Sequence, residues 1–243
     1  VCDDPWMFRA FFGHPGVIAA ELFPRLWPSQ AASIIRGIVS RLRYAVHVAW
    51  AANALRSHRR RAGFGENVIL VYGHTRSTVD GDDGFFGDLM RRLPRLRRIL
   101  HVDCGLARAR ELAGDDRSLS LHAWGNPWYA MVLPFTRWRP QRRHLGGSQG
   151  WIIRRAAAIE GRGGTAAAIA WQRHCQRRWL RECRPTAISW PWENHNWERT
   201  LVREARKAGV HTAGYQHSVI GRQMLNHATG SNPDGLGSIP DTV

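Results

Sequence analysis

Apolar positions along the chain change register once, near residue 62. Between residues 31 and 60, Ile34, Ile35, Ile38, Val39, Leu42, Ala45, Val46 and Ala49 recur at three- and four-residue spacing. Arg36, Arg43 and Arg56 stand off that stripe. The spacing predicts one long amphipathic helix, expected to pack its apolar stripe on its own domain. A different pattern follows. Asn67-Val-Ile-Leu-Val-Tyr72 is a continuous apolar run behind Gly63-Phe-Gly65, as in a strand buried on both faces. Further strands are expected at Arg98–Asp103 and Leu119–Ala123, with a helix-like Phe85–Arg97 after the first strand. Residues 148–182 read as helix broken at Gly161-Arg-Gly-Gly164, where Thr165 is placed to cap the second half.

The clearest unit comes last. Thr186–Trp190 has the composition of a strand, and Asn194 can cap a helix whose Trp197, Leu201, Val202, Ala205 and Ala208 share one face. Glu198 sits near the positive end of that helix, and Arg206 and Lys207 near the negative end. Gly209 stops it and Val210–Tyr215 is the next strand. Strand and helix therefore alternate across 67–215. The expected fold is α/β: a Rossmann-like, doubly wound, mostly parallel sheet with flanking helices, preceded by a helical segment over 1–62. The Gly-rich, polar stretch from 226 onward reads as a linker, and Ile239-Pro-Asp-Thr-Val243 as the opening of a strand. The absence of an initiator Met at Val1 adds to the expectation of a piece of a longer protein.

Composition changes this picture little. The 243 residues are 44% hydrophobic, enough to bury a core and contrary to disorder. The net charge of +16 is carried almost wholly by arginine, since Lys207 is the only lysine. Such a chain favours anionic partners, and its basic helix over 31–60 would suit an anionic membrane surface as a peripheral contact. No run reaches the ~20 apolar residues of a membrane span. Cys2, Cys104, Cys175 and Cys183 have neither CxxC nor zinc spacing, and are expected to be reduced thiols of a cytoplasmic protein. Arginine clusters at 58–61, 91–98, 137–143 and 173–184 are expected to be solvated helix faces.

Topology locates the chemistry. Parallel strands place the loops after both strands of a βαβ unit at one edge of the sheet, where open α/β folds bind ligands. One loop carries Trp192, Glu193, Asn194 and His195; the other carries Gln216, His217 and Ser218. A carboxylate and an imidazole at one crevice suit general acid–base work. His74 and Arg76 follow the first strand and are candidates to line the same crevice. Asp80-Gly-Asp82-Asp83 contains a bare DxD, but it lies in a polar loop well beyond its strand, and no metal is expected there. No GxxxxGK[ST], GxSxG or HExxH occurs, and the GRGGT at 161–165 follows helix rather than strand.

Pro191-Trp192-Glu193, Leu201 and Gly214-Tyr215-Gln216-His217-Ser218 together resemble a bacterial surface-carbohydrate glycosyltransferase family of the capsule and O-antigen type. Phe85-Phe86-Gly87-Asp88-Leu89 is similar to a segment that opens a helix in that family. The resemblance is specific over 190–218 and faint over the rest of 67–243. It implies a two-domain GT-B enzyme without a DxD metal, of which this chain would be the N-terminal, acceptor-side half: 63–225 as the domain and 226–243 leading to a donor-binding domain. Sugar would pass from a nucleotide-sugar donor, its only co-substrate, to a glycan or lipid-linked acceptor at the inner face of the plasma membrane. Glu193 or His217 would be the base, with Trp192 and Tyr215 as stacking surfaces, and this half alone is expected to show no turnover. The same fold could serve a polyol-phosphate transferase or a sugar-nucleotide epimerase. The basic charge alone would fit a nucleic-acid-binding protein, but the arginines are spread over many helices, so no specific nucleic-acid partner is expected.

Overall fold

The structure, a computed structural model, describes residues 15–16, 23–147, 150–217 and 235–243. The expected alternation is realised as five strands: β1 (Asn67–Val71), β2 (Arg97–Leu100), β3 (Ser118–Ser120), β4 (Ala187–Pro191) and β5 (His211–Tyr215). All pair in parallel, in the order β3-β2-β1-β4-β5. The chain winds outward from β1 to β3, then returns to the middle and winds the other way. The order thus reverses between β1 and β4, which leaves a crevice at their C-terminal ends. β1 is buried on both faces from Val68 to Val71, as its unbroken apolar run requires.

The helices are α1 (Phe23–Ala54), α2 (Leu89–Arg92), α3 (Leu106–Leu112), α4 (Pro127–Ala130), α5 (Gly150–Ile159), α6 (Gly164–Cys183) and α7 (Asn196–Lys207). Two compact units result. One comprises the chain up to His47 with Ala130–Ala170; the other, Val48–Tyr129 with Trp171–Val243, holds the sheet. In the sheet unit, Leu55, Ile69, Val71, Met90, Leu100, Ala109 and Leu112 form a core cluster under Phe86, Leu89 and Leu106. Cys104, Cys175 and Cys183 are free and buried.

Several local expectations are corrected. Helix over Phe85–Arg97 shrinks to α2. The Asp83 carboxylate takes the N–H groups of Phe85 and Phe86 at 3.0 and 3.3 Å, and Gly87 turns left-handed at φ 57°. Pro94 then disfavours helical geometry at Leu93. The third strand ends at Ser120, whose side chain accepts the His122 N–H and starts a 3-10 turn over Leu121–Trp124. Thr165 is no cap, because α6 begins at Gly164. Ala208 lies beyond α7 and is exposed, and its expected place in the buried face is taken by Glu204, paired with Arg173 and Arg177 at 3.1 Å each.

The polar 73–84 loop is held firmly from beneath. Arg98 is fully buried and donates to Ser118 Oγ, Asp82 O and Thr78 O at 2.8–2.9 Å. Asp82 pairs with Arg91 at 2.8 Å while its neighbour Asp83 turns inward to Ser77, so these two adjacent carboxylates diverge. Of the expected linker, 226–234 lies outside the described residues; 235–238 is a 3-10 turn. Beyond it Thr242 makes a single parallel bridge to Ala213, and Asp241 accepts from Thr212 N and Oγ at 2.9 and 2.7 Å. The apolar stripe of α1 departs most from expectation: Ile34, Ile35, Ile38, Val39, Leu42 and Val46 are exposed.

Candidate active site

The β4 and β5 strands are pinned together up to their last residues, where the Trp192 N–H donates to Tyr215 O at 2.9 Å. Past that point the chain after β4 must turn sharply into α7. Asn194 makes the turn at φ 58°, in the left-handed region that asparagine tolerates. It is not the helix cap; His195 is, without a side-chain cap bond. The capping work falls to Glu198, one turn into α7. Its buried carboxylate reaches back to the N–H groups of Glu193, at 3.1 and 3.3 Å, and Asn194, at 2.8 Å. Burial pushes the Glu198 carboxyl above the usual range, opposed by these backbone donors and by nearby His195.

This turn aims the Glu193 carboxylate outward between two imidazoles. Oε2 meets His195 Nε2 at 2.6 Å and Oε1 meets His217 Nε2 at 3.2 Å. The three side chains come from the two loops that topology assigns to one edge. The His217 ring stands edge-on to Phe85 at 5.3 Å between centroids, and Phe85 is edge-on to His74 at 5.6 Å. Backing them is Tyr72, directly after β1, whose hydroxyl accepts the Trp197 indole N–H at 3.0 Å. Burial and the neighbouring Glu198 charge push the Tyr72 phenol far above its ordinary value, so it remains protonated.

Glu193 thus touches both His195 and His217, and His74 reaches the group through Phe85. Asn194 shapes the turn and takes the Arg199 Nε–H at 3.1 Å. Tyr215 is exposed and tilted against Phe86 at 5.5 Å, so its ring offers an open face. Trp192 is buried and does not. A Cβ on Gly214 would stand 2.8 Å from Trp192 Cβ, which explains glycine at that position. Gln216 is half-buried beside the cluster in sequence. The Arg76 side chain is exposed and makes no contact with the Glu193 cluster among the described residues; its backbone N–H donates to His74 Nδ1 at 3.1 Å. Ser218 lies outside the described residues.

Sequence reasoning missed Tyr72, Phe85 and Glu198 as parts of this site. The rule that chemistry gathers at strand ends points to Tyr72, had it been applied to β1 as it was to β4. Glu198 carried the signature of a residue reaching back from the first turn. Among the described residues no group of three or more His, Cys, Asp or Glu side chains is arranged to hold a metal ion. What the cluster can do is hold a proton between carboxylate and imidazole at a solvent-open sheet edge. No protein-family model matches the chain, and no curated protein or solved structure matches it either.

Proposed function

We propose that the chain is the acceptor-side part of a GT-B glycosyltransferase that builds a surface polysaccharide or lipid-linked glycan. The observation that carries the reading is the Glu193 carboxylate shared by His195 and His217 at the crevice where strand order reverses. With Nε2 of His217 donating to Glu193, its Nδ1 is the proton acceptor, and Glu193 fixes the tautomer and balances the imidazolium that forms. The acceptor hydroxyl oxygen attacks the anomeric carbon of a nucleotide-sugar. The bond from that carbon to the leaving phosphate oxygen breaks, the nucleoside diphosphate departs with the electron pair, and the hydroxyl proton passes to His217. Tyr215 gives the acceptor sugar a flat surface to lie on.

Arginine placement favours this reading over nucleic-acid binding. Arg59, Arg61, Arg91, Arg92, Arg97, Arg173 and Arg177 are paired with acids of the protein itself. The test is release of nucleoside diphosphate by the intact protein, supplied with nucleotide-sugars and a membrane-derived glycan acceptor. Glu193→Gln and His217→Ala are expected to lower turnover by about 10²–10⁴-fold. Wild-type turnover in both variants would remove the assignment.

A further inference from the structure

Among the described residues, the first unit carries an apolar surface that is exposed. On α1 the exposed Ile34, Ile35, Ile38, Val39, Leu42 and Val46 lie within an arc of about 140° on a helix that turns ~100° per residue. Arg36 and Arg43 border that arc. The edge beside Ile34 is engaged: Arg41, about 20° beyond Ile34 on the same wheel, is buried, and its Nη1 donates to Thr136 O at 2.7 Å. A second bond, from Trp138 N–H to Gly161 O at 2.8 Å, fixes the same short segment. That segment presents Met131, Val132, Phe135 and Trp138 to solvent, with Phe135 80% exposed. Its backbone is thus anchored while its largest side chains point away from the protein.

Charge narrows what can cover such a surface. The sequence has no Asp or Glu from 22 to 65 or from 117 to 159. Within those stretches Arg36, Arg43, Arg137, Arg139, Arg142 and Arg154 are exposed. An isologous contact between two copies would set these arginines against their own counterparts with no carboxylate from either stretch to offset them. A nucleic acid would use the arginines but leave the isoleucines and Phe135 wet. A phospholipid surface satisfies both sets at once: phosphates for the guanidinium groups, and the acyl boundary for the apolar side chains. Exposed Trp138 suits the headgroup level. Among the described residues no helix is long and apolar enough to cross a membrane, so the geometry is one of lying on the surface.

We propose that this face of the first unit, α1 with the 131–138 segment, docks on an anionic phospholipid bilayer. The inference goes beyond sugar transfer and stands without it, because it concerns a surface that shares no residue with the Glu193 cluster.

Vesicle flotation tests it, with phosphatidylcholine vesicles and vesicles of equimolar phosphatidylcholine and phosphatidylglycerol. The wild type is expected to float with the anionic vesicles, to stay behind with the neutral ones, and to detach as salt rises. Ile35→Glu with Val46→Glu, and separately Phe135→Glu, should each lower partitioning about tenfold or more. Ile35→Ser and Phe135→Ser, which leave charge unchanged, should lower it less but measurably; circular dichroism checks the fold of all four. Leu93→Glu, at an exposed apolar position of the other unit, should float as the wild type does. The proposal is overturned if the wild type ignores anionic vesicles or binds neutral ones equally well. It also falls if Leu93→Glu loses as much as the α1 variants, which would leave only net charge. A wild-type dimer that these variants dissolve would assign the face to a second copy. Variants that bind normally while duplex DNA displaces the vesicles would make it a general polyanion site.

Discussion

Histidines stand just beyond the C-terminal ends of β2, β3 and β5, yet the protein treats them in opposite ways. Beyond β2 and β3, His101 and His122 are almost fully buried. His122 Nε2 meets Val102 O at 2.9 Å and its Nδ1 takes the Trp171 indole N–H at 3.1 Å, while His101 meets the Gln172 amide and Asp103. Both imidazoles have protein partners on each nitrogen. Beyond β5, His217 shares the Glu193 carboxylate at an edge that is open to solvent. The difference lies in what covers the strand end. α6 brings Trp171 and Gln172 over β2 and β3, whereas among the described residues Glu193 and His217 keep exposed surface beyond β4 and β5. A histidine at a strand end is therefore ambiguous until its cover is known.

The sealed half should resist change most. Trp171→Ala removes a fully buried indole, strips His122 of its donor and opens a cavity, at an expected cost of about 3–5 kcal/mol in denaturant unfolding. Gly214→Ala comes next. It drives a methyl into Trp192 Cβ at 2.8 Å and Pro240 Cγ at 3.1 Å, with an expected cost of about 1–3 kcal/mol and reduced turnover through displacement of the Trp192–Glu193 loop. His217→Ala lies at the other extreme: less than about 1 kcal/mol in stability, because it leaves no buried group unpaired, with most of the activity gone. An equal stability loss for Trp171→Ala and His217→Ala would erase the distinction between sealed and open strand ends.

The sheet was legible because each signal was local: an unbroken apolar run for β1, Ile99-Leu100 for β2, and a helix with Glu198 in its first turn and Gly209 past its end between β4 and β5. The pairing of Glu193 with His217 was legible through topology alone, since parallel strands bring their following loops together. Signals that depend on distant partners were not. Nothing near Phe85 announces that Asp83 will turn inward toward Ser77 and bind the Phe85 and Phe86 amides, which cuts the expected helix to one turn. Likewise the spacing of Ile34 through Val46 reports amphipathicity but not which side is covered. Of the residues that face inward, Ala45 belongs to the apolar stripe but Arg41 and Gly37 sit off it, and Gly37 is required by the close approach of Arg162 O.

The smallest effects, in acid, separate the two regions by sign. His58 is buried beneath β3, where its Nδ1 accepts the Ser120 N–H at 3.2 Å. Burial, with Arg61 and Arg110 nearby, lowers it from 6.5 to about 4. The unfolded chain then binds this proton more readily than the native one, so stability falls as pH drops from about 6.5 to about 4. Glu198, beneath the open site, behaves oppositely. Its raised value means that the native state holds the proton more tightly, so its contribution is fully present below the ordinary carboxyl value of 4.5 and is lost as pH rises through the folded value. Urea midpoints measured from acid to neutral pH are expected to show less acid loss for His58→Gln than for the wild type. Glu198→Gln should lack the wild type's decline on the way up from pH 4.5. Parallel pH curves for the wild type and both variants would mean that neither group is desolvated as its surroundings imply.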